Sequence, residues 1–287
     1  MLTSRRDPLD PGRRAEVTTL AVIAASILDA DYAQLEREVR RIADAGVDAF
    51  SLDVMDGRFV PRLTFGELVA ARVREWTDVP IEVHLMVEDP DSWVRRMADA
   101  GADLIMFHLE AVHDPLEVAA RIRDERRLVG LALRLETPIE HLPDEVLAAV
   151  DLVNLVAVPL GYGGAASASD TFERIAELRS RIDERGFVAG IEVDGGVKPS
   201  NAAAYAESGA DMLTVGTGIY HAPDPEQAVR TLRETTAGPG DERARARLQR
   251  FLARPSAREE DEGRLERLDA MRADLDIPTT VWDPRSR

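Results

Sequence analysis

Eight short apolar runs alternate with amphipathic segments between about Leu20 and Leu232, and this alternation constrains the fold more than any other feature. Each run has the length of a β-strand, and the segments between them carry apolar residues at helical spacing, as at Leu35, Val39 and Ile42. Strands that alternate with helices are typically parallel and joined by helical crossovers. An open doubly wound sheet has the same pattern, but eight units within roughly 215 residues favour a closed (β/α)8 TIM barrel. The predicted strands are residues 21–27, 49–55, 81–86, 104–109, 129–133, 152–158, 188–193 and 212–215.

Four of these runs follow a related sequence that ends in aspartate. The four residues are Asp48, Asp103, Asp151 and Asp211. They are 55, 48 and 60 residues apart, about two strand–helix units each, as expected for the even-numbered strands of a barrel. We interpret the repeat as a recurrent helix-to-strand loop in which glycine ends the helix and aspartate begins the turn. It supports the fold and indicates no chemistry.

The composition excludes several classes of function. The chain contains no cysteine, so it has no disulfide, no thiolate metal ligand and no cysteine nucleophile. Its formal net charge of -17 argues against nucleic acid and anionic membranes as partners, because both require clustered positive charge. No apolar run approaches the roughly 20 residues needed to cross a bilayer, and residues 1–17 lack the apolar stretch of a secretory signal. We therefore expect a cytoplasmic protein.

The two ends lie outside the predicted barrel, which spans residues 20–235. Residues 1–19 are expected to form a flexible arm, and residues 236–287 form a highly charged extension. Two helical faces are predicted in this extension, one with Leu265, Leu268, Met271 and Leu275, and a shorter one with Leu248, Phe251 and Leu252. A helical appendage that packs on the barrel or on another subunit and a solvated tail both remain open.

Polar side chains collect near the carboxyl ends of three predicted strands, where barrel enzymes place their active sites. Inward-facing positions alternate along a strand, so these side chains share the barrel interior. They are Ser51 and Asp53 on the second strand, Glu82 and His84 on the third, and Asp194 at the end of the seventh, with Met55 and Met86 on the same faces of the second and third strands. Buried carboxylates are unfavourable unless they are paired or bound to metal. The pattern therefore indicates a functional site.

Five segments resemble, in the same order, those of the ribulose-phosphate 3-epimerases. The most specific is Asp-Val-Met-Asp-Gly-Arg-Phe-Val-Pro at residues 53–61, supported by Val-His-Leu-Met-Val at 83–87 and Glu-Val-Asp-Gly-Gly-Val at 192–197. Ala-Ser-Ile-Leu-Asp-Ala-Asp at 25–31 and Ala-Pro-Asp-Pro at 222–225 complete the set. The resemblance covers the whole predicted barrel and implies an isomerase that epimerises phosphorylated ketoses at C3.

The resemblance implies that Asp53 and Asp194 are the two acid–base groups, on opposite faces of the substrate. It also implies that Asp53, His84 and Asp194 bind a divalent metal, either zinc or one of iron, manganese and cobalt. A further ligand of the family, a histidine on the second strand, corresponds to Ser51, whose neutral hydroxyl is a poor zinc ligand. Weaker metal binding with retained activity, a changed metal or substrate, and loss of epimerisation all remain open.

Further residues are candidates for substrate binding. Those on strands are Ser26, Ser51, Met55, Met86 and His108, and for Ser26 the resemblance implies contact with the sugar. Glycines after the sixth, seventh and eighth strands predict phosphate binding through backbone N–H groups, because glycine lets the backbone approach an anion. These residues are Gly161, Gly163, Gly164, Gly195, Gly196 and Gly216, with Thr217. Departures from the family pattern at Arg134, Val156 and residues 159–165 fit an altered specificity.

The predicted function is the interconversion of D-ribulose 5-phosphate and D-xylulose 5-phosphate. Epimerisation of a ketohexose 6-phosphate such as allulose 6-phosphate, a metal-dependent lyase or decarboxylase, and a non-catalytic sugar-phosphate-binding protein remain open. A Schiff-base aldolase is disfavoured, because the only lysine, Lys198, lies beyond Gly195 and Gly196 and not on an inner strand position. The expected partner is a phosphorylated ketose, and homo-oligomer formation stays open.

Overall fold

A computed structural model describes residues 21–161, 168–237, 248 and 251–252. Within them, eight parallel strands pair in chain order, and the eighth pairs with the first to close the sheet. The strands are β1 (Val22–Ser26), β2 (Ala49–Met55), β3 (Ile81–Met86), β4 (Leu104–His108), β5 (Leu128–Leu133), β6 (Leu152–Val156), β7 (Gly190–Asp194) and β8 (Met212–Val215). The predicted (β/α)8 barrel is confirmed.

The predicted strand bounds agree with the structure for β2, β3 and β8 and differ by one or two residues for the others. The strand predicted at 188–193 begins at Gly190 and ends at Asp194. Val188 precedes the strand and is 58% exposed, so its apolar character was a misleading signal. The end of β7 at Asp194, one residue later than predicted, matters for the site. Asp194 pairs in register with Thr214 of β8 and is therefore held as part of the sheet.

Helices cover the outside of the sheet. Among the described residues they are α1 (Leu35–Asp44), α2 (Glu67–Trp76), α3 (Asp91–Asp99), α4 (Pro115–Asp124), α5 (Asp144–Ala149), α6 (Ala168–Arg185), α7 (Ala202–Glu207), α8 (Thr217–Tyr220) and α9 (Pro225–Thr235). The side chains of Asp114 and Asp224 cap the first turns of α4 and α9, each of which starts with proline. None of these helices combines the length and apolar character needed to span a bilayer.

The apolar core has three parts. The largest lies between the strands and the helices and includes Ile23, Leu52 and Ile105. A second fills the barrel interior toward the amino ends of the strands, here called the lower interior. A third, around Met55 and Met86, lies at the carboxyl ends of the strands. Successive residues of each strand point alternately to the outer and inner parts. This alternation is what directs the functional side chains into the barrel.

The recurrent aspartates have a common role at the amino end of the barrel that the sequence interpretation did not contain. Each accepts a hydrogen bond from a backbone N–H of the preceding odd-numbered strand and forms an ion pair with an arginine. Asp48 contacts Ile23 and Arg233, Asp103 contacts Ile81 and Arg74, Asp151 contacts Val129 and Arg123, and Asp211 contacts Ile191 and Arg179. The repeat therefore ties neighbouring strands together.

Two residues of the charged extension pack inside the amino end of the barrel. Leu248 and Phe251 are 3% and 1% exposed and belong to the apolar cluster of the lower interior. Gly190, at the start of β7, leaves room for them, since a Cβ atom there would lie 3.2 Å from Leu248 Cδ2. This part of the extension packs on the barrel. The arm at 1–19 and the helical face with Leu265, Leu268, Met271 and Leu275 lie outside the described residues.

Candidate active site

A cleft of about 740 Å³ opens at the carboxyl ends of the strands. Strand-end side chains from β1, β2, β3, β6 and β7 form its floor. They are Ser26, Asp53, Met55, Met86, Val156 and Asp194. This is the end of the barrel at which enzymes of this fold carry out their chemistry.

Asp53, His84 and Asp194 meet at the floor of the cleft. His84 Nδ1 lies 3.2 Å from Oδ1 of Asp53 and 3.6 Å from Oδ2 of Asp194. One potential ligand atom from each residue lies within 4.8 Å of the other two, so the group is compact enough to hold a metal ion. The two carboxyl groups, carried by β2 and β7, therefore converge on one imidazole nitrogen.

The sheet and one hydroxyl fix the direction of Asp53. It lies directly opposite His84 in the β2–β3 register, so the two side chains leave the sheet side by side. Ser26 Oγ donates a hydrogen bond to Asp53 Oδ2 at 2.9 Å, while Oδ1 faces the imidazole. Both carboxylate oxygens thus have partners. The orientation of Asp53 is set before any ligand arrives.

The electrostatics of this group favour a positive charge. Burial alone would lower the pKa of His84, but hydrogen bonding to Asp194 and Asp53 and their negative charges raise it to about 10. Burial raises the pKa of Asp194 above its usual range, and the hydrogen bond to His84 partly offsets this rise. Two carboxylate oxygens and one imidazole nitrogen form a donor set that suits zinc. The residues present therefore fit a divalent cation, which would replace the imidazolium proton.

A second polar layer lies directly below, in the barrel interior. Ser51 faces Glu82 across β2 and β3, and Asn154 faces Glu192 across β6 and β7. All four side chains are at most 1% exposed. Burial raises the pKa of Glu192 to about 8 and also raises the pKa of Glu82. Among the described residues, Ser51 Oγ has no hydrogen-bond partner, and Ser51 does not line the cleft.

His108 lies behind His84 and outside the cleft lining. The two Nε2 atoms are 2.9 Å apart, and His108 Nδ1 is 3.2 Å from Glu110 Oε2. Burial lowers the pKa of His108 to about 4. Burial tends to raise the pKa of Glu110, but hydrogen bonds from His108 and Thr137 and the backbone N–H of Arg134 lower it to about 2. Glu110 was not predicted from the sequence, in which its only signal is an acidic residue two positions beyond a strand end.

The predicted phosphate-binding residues that the structure describes all line the cleft. They are Gly161, Gly195, Gly196, Gly216 and Thr217. Gly195 has a φ of 107°, and a Cβ atom there would lie 2.6 Å from Val158 Cγ2, so glycine is required at this position. The other two predicted glycines, Gly163 and Gly164, lie outside the described residues.

Asp29 is a further cleft residue that the sequence analysis did not single out. A Cβ atom at Gly216 would overlap Asp29 Oδ2, so the carboxylate lies against the backbone of one predicted phosphate-binding residue. Burial raises the pKa of Asp29, and His221 partly opposes this shift. The side chains of Arg62 and Lys198 also line the cleft. An acidic group therefore stands at an end of the cleft that was expected to receive an anion.

Comparison with known proteins gives consistent matches. Residues 22–220 match the Ribulose-phosphate 3 epimerase family. A ribulose-phosphate 3-epimerase of Synechocystis sp. is 37% identical over 75% of this chain and 94% of its own length. Proteins of the same name from Bacillus subtilis and Escherichia coli are each 38% identical, over 74% and 75% of this chain and 97% and 96% of theirs.

More distant solved structures share the fold. A 3-hexulose-6-phosphate synthase from Salmonella typhimurium has a TM-score of 0.56 at 18% identity and covers 75% of this chain and 97% of its own. The orotidine 5'-phosphate decarboxylase from Pyrococcus horikoshii OT3 has a TM-score of 0.55 at 18% identity, with coverage of 75% and 99%. These two similarities concern the barrel alone. The family match and the near full-length relatives go further, and they show that the chain is a carbohydrate isomerase belonging to the ribulose-phosphate 3-epimerase family.

Proposed function

We propose that the protein interconverts D-ribulose 5-phosphate and D-xylulose 5-phosphate by proton transfer at C3 between Asp53 and Asp194. The observation that carries this proposal is the convergence of the two carboxyl groups on His84 Nδ1, at 3.2 and 3.6 Å. The names of the relatives support the choice of substrate. In this proposal residues 20–235 are the catalytic domain.

Two carboxyl groups on different walls of a cleft suit inversion at a carbon that carries hydrogen. One aspartate removes the C3 proton from one face, and the bonding electrons remain in an enediolate. The other aspartate, protonated at the start, delivers its proton to C3 from the opposite face. The roles are exchanged in the reverse direction, so both groups must donate and accept at similar pH. Their common contact with His84 gives them a shared electrostatic environment.

The same side chains, Asp53, His84 and Asp194, are proposed to hold a divalent cation. Zinc is the first choice, because carboxylate oxygen and imidazole nitrogen are ligands that it accepts. Iron, manganese and cobalt are the alternatives. When bound, the cation stabilises the negative charge that develops on the enediolate oxygens.

Apolar and backbone groups of the cleft are proposed to orient the sugar phosphate. Met55 and Met86 line the cleft at 5% and 3% exposure and keep water away from the reacting carbon, which strengthens nearby electrostatic interactions. The phosphate is assigned to the glycine-lined end, where backbone N–H groups of Gly195 and Gly196 and the ammonium group of Lys198 are available. Ser26 keeps Asp53 in place through its hydrogen bond of 2.9 Å.

A ketohexose 6-phosphate such as allulose 6-phosphate is the second candidate substrate. It is favoured by Val156, Pro159 and Leu160, which depart from the family pattern and line the cleft. A larger or differently shaped sugar would contact these positions.

Solvent-deuterium exchange at C3 tests the proposal directly. The zinc-loaded protein should introduce deuterium at C3 of ribulose 5-phosphate, and Asp53→Asn and Asp194→Asn should each abolish the exchange. Asp31→Asn is the matched control, because Asp31 is exposed and asparagine also caps a turn. Exchange with allulose 6-phosphate alone would favour the second candidate. Exchange with neither sugar, with zinc or manganese added, would refute the epimerase and support a non-catalytic binding protein.

A further inference from the structure

The two ring nitrogens of His84 have different partners. Nδ1 faces Asp53 and Asp194, whereas Nε2 lies 2.9 Å from Nε2 of His108. Two nitrogens at this distance share one proton, because two lone pairs or two N–H groups would repel each other. A cation bound at Nδ1 requires a lone pair there, so the proton of the neutral His84 ring must lie on Nε2.

The position of the proton on His84 determines the position of the proton on His108. If His84 Nε2 donates, then His108 Nε2 accepts, and the proton of a neutral His108 lies on Nδ1. That atom is 3.2 Å from Oε2 of Glu110, which can only accept when it is ionised. The other oxygen, Oε1, accepts hydrogen bonds from the Thr137 hydroxyl and, at 2.9 Å, from the Arg134 backbone N–H. His84, His108 and Glu110 thus form a row of hydrogen bonds in which each donor has one acceptor.

The row is also enclosed by packing. The His84 and His108 rings are fully buried and stacked, with centroids 5.0 Å apart. The Phe59 ring lies against His108 with a centroid separation of 5.1 Å, and the Arg134 guanidinium lies over Phe59 at 4.2 Å. Water has little access to the imidazole nitrogens, so the hydrogen-bond partners within the row determine their protonation pattern.

We propose that Glu110 is a positioning residue that acts through His108 to fix the tautomer and the ring orientation of His84 for cation binding. The inference rests on the proposed function only through the assignment of His84 as a cation ligand. Glu110 touches neither the cation nor the substrate. Its effect is to hold the Nδ1 lone pair of His84 toward the two aspartates.

Zinc affinity and imidazole NMR of the full chain test this inference without measuring turnover. Glu110→Gln should weaken zinc binding about 10–100-fold in chelator competition, because an amide cannot accept through both of its heavy atoms. In the zinc-loaded protein, the ¹⁵N signals of the His108 ring should show Nδ1–H and an unprotonated Nε2 in the wild type, and a mixture of tautomers in Glu110→Gln. Glu136→Gln, the same change at an exposed position of a neighbouring loop, should alter neither quantity.

A double-mutant cycle keeps the test valid if Glu110→Gln also lowers stability. In a His108→Gln background, adding Glu110→Gln should change zinc affinity less than twofold, because the connection to His84 is already broken. Equal effects of Glu110→Gln in both backgrounds, or unchanged His108 tautomer signals, would overturn the inference. Tight zinc binding without C3 exchange in the wild type would instead count against the proposed function alone.

Discussion

Ser51 determines how many side chains can surround a cation at the centre of this site. Its hydroxyl lies in the polar layer below Asp53 and is 1% exposed. It does not line the cleft, and it faces Glu82 across the sheet. A hydroxyl is too short and too weak a ligand to replace an imidazole, so the described group offers three strong ligand residues.

Ser51→His should therefore strengthen zinc binding, by about tenfold or more, since even indirect ligand support changes affinity by about 10–100-fold. Chelator competition measures the change, and the melting temperature shows whether the larger side chain is tolerated. Ser92→His, on the exposed start of α3, is the control and should leave affinity unchanged. An unchanged affinity in a folded Ser51→His protein would show that the ligand assignment is wrong.

Asp29 opposes anion binding at the glycine-lined end of the cleft. Its carboxylate contacts Gly216, and a phosphate in the same place would experience like-charge repulsion of about 1 kcal/mol or more. Asp29→Ser should lower the inhibition constant of inorganic phosphate about tenfold, which corresponds to ~1.4 kcal/mol. Asp31→Ser, at the exposed cap of the next turn, serves as the control. Equal phosphate affinity in wild type and Asp29→Ser would place the phosphate elsewhere.

The sequence predicts the residues on strands better than those just beyond them. Asp53, His84 and Asp194 follow from two-residue alternation and from strand ends, and the structure brings them together. Asp29 and Glu110 lie in turns that follow β1 and β4, where an acidic residue ordinarily caps a turn. Their contacts with distant parts of the chain depend on loop geometry that sequence spacing does not determine. One example is the hydrogen bond that Glu110 accepts from the backbone N–H of Arg134.

At the scale of strands and loops, the four aspartate–arginine pairs reinforce the amino end of the barrel. The sequence repeat reveals the aspartates because it is regular, but their arginine partners come from α2, α4, α6 and α9 at irregular separations. The pairs also differ in burial. The side chains of Asp103 and Arg74 are 4% and 3% exposed, whereas those of Asp48 and Arg233 are 17% and 26% exposed.

The stability effects should follow this order of burial. Asp103→Ala leaves Arg74 buried without its carboxylate and should lower the free energy of unfolding by about 3–5 kcal/mol. Asp48→Ala removes a more exposed pair and one backbone hydrogen bond, so the loss should be about 1–2 kcal/mol. Urea denaturation of the two variants measures both values. An equal loss at the two positions would contradict the dependence on burial.

At the scale of the whole molecule, the barrel was predictable because eight repeated units leave few alternatives. The extension was not, since helical spacing at Leu248 and Phe251 shows which side of a helix is apolar but not what covers it. The structure supplies the answer for these residues, which pack in the lower barrel interior. The candidate active site lies at the opposite end of the strands.

Phe251→Ala should lower the free energy of unfolding by about 3–5 kcal/mol, the usual loss for a buried aromatic side chain. Leu252→Ala, at a partly buried neighbour, should cost less. Zinc affinity should stay the same in both variants, because the metal-binding group lies at the other end of the barrel. A Phe251→Ala protein as stable as the wild type would mean that this packing contributes nothing.

Because Leu248 and Phe251 fill part of the lower barrel interior, the core at that end is completed only late in synthesis. All eight strands leave the ribosome before these two residues, so a nascent chain can pair its strands while its lower interior is still exposed. In that interval the open apolar surface is available to chaperones and to other nascent chains. A finished molecule that lost Leu248 and Phe251 would expose the same apolar surface again.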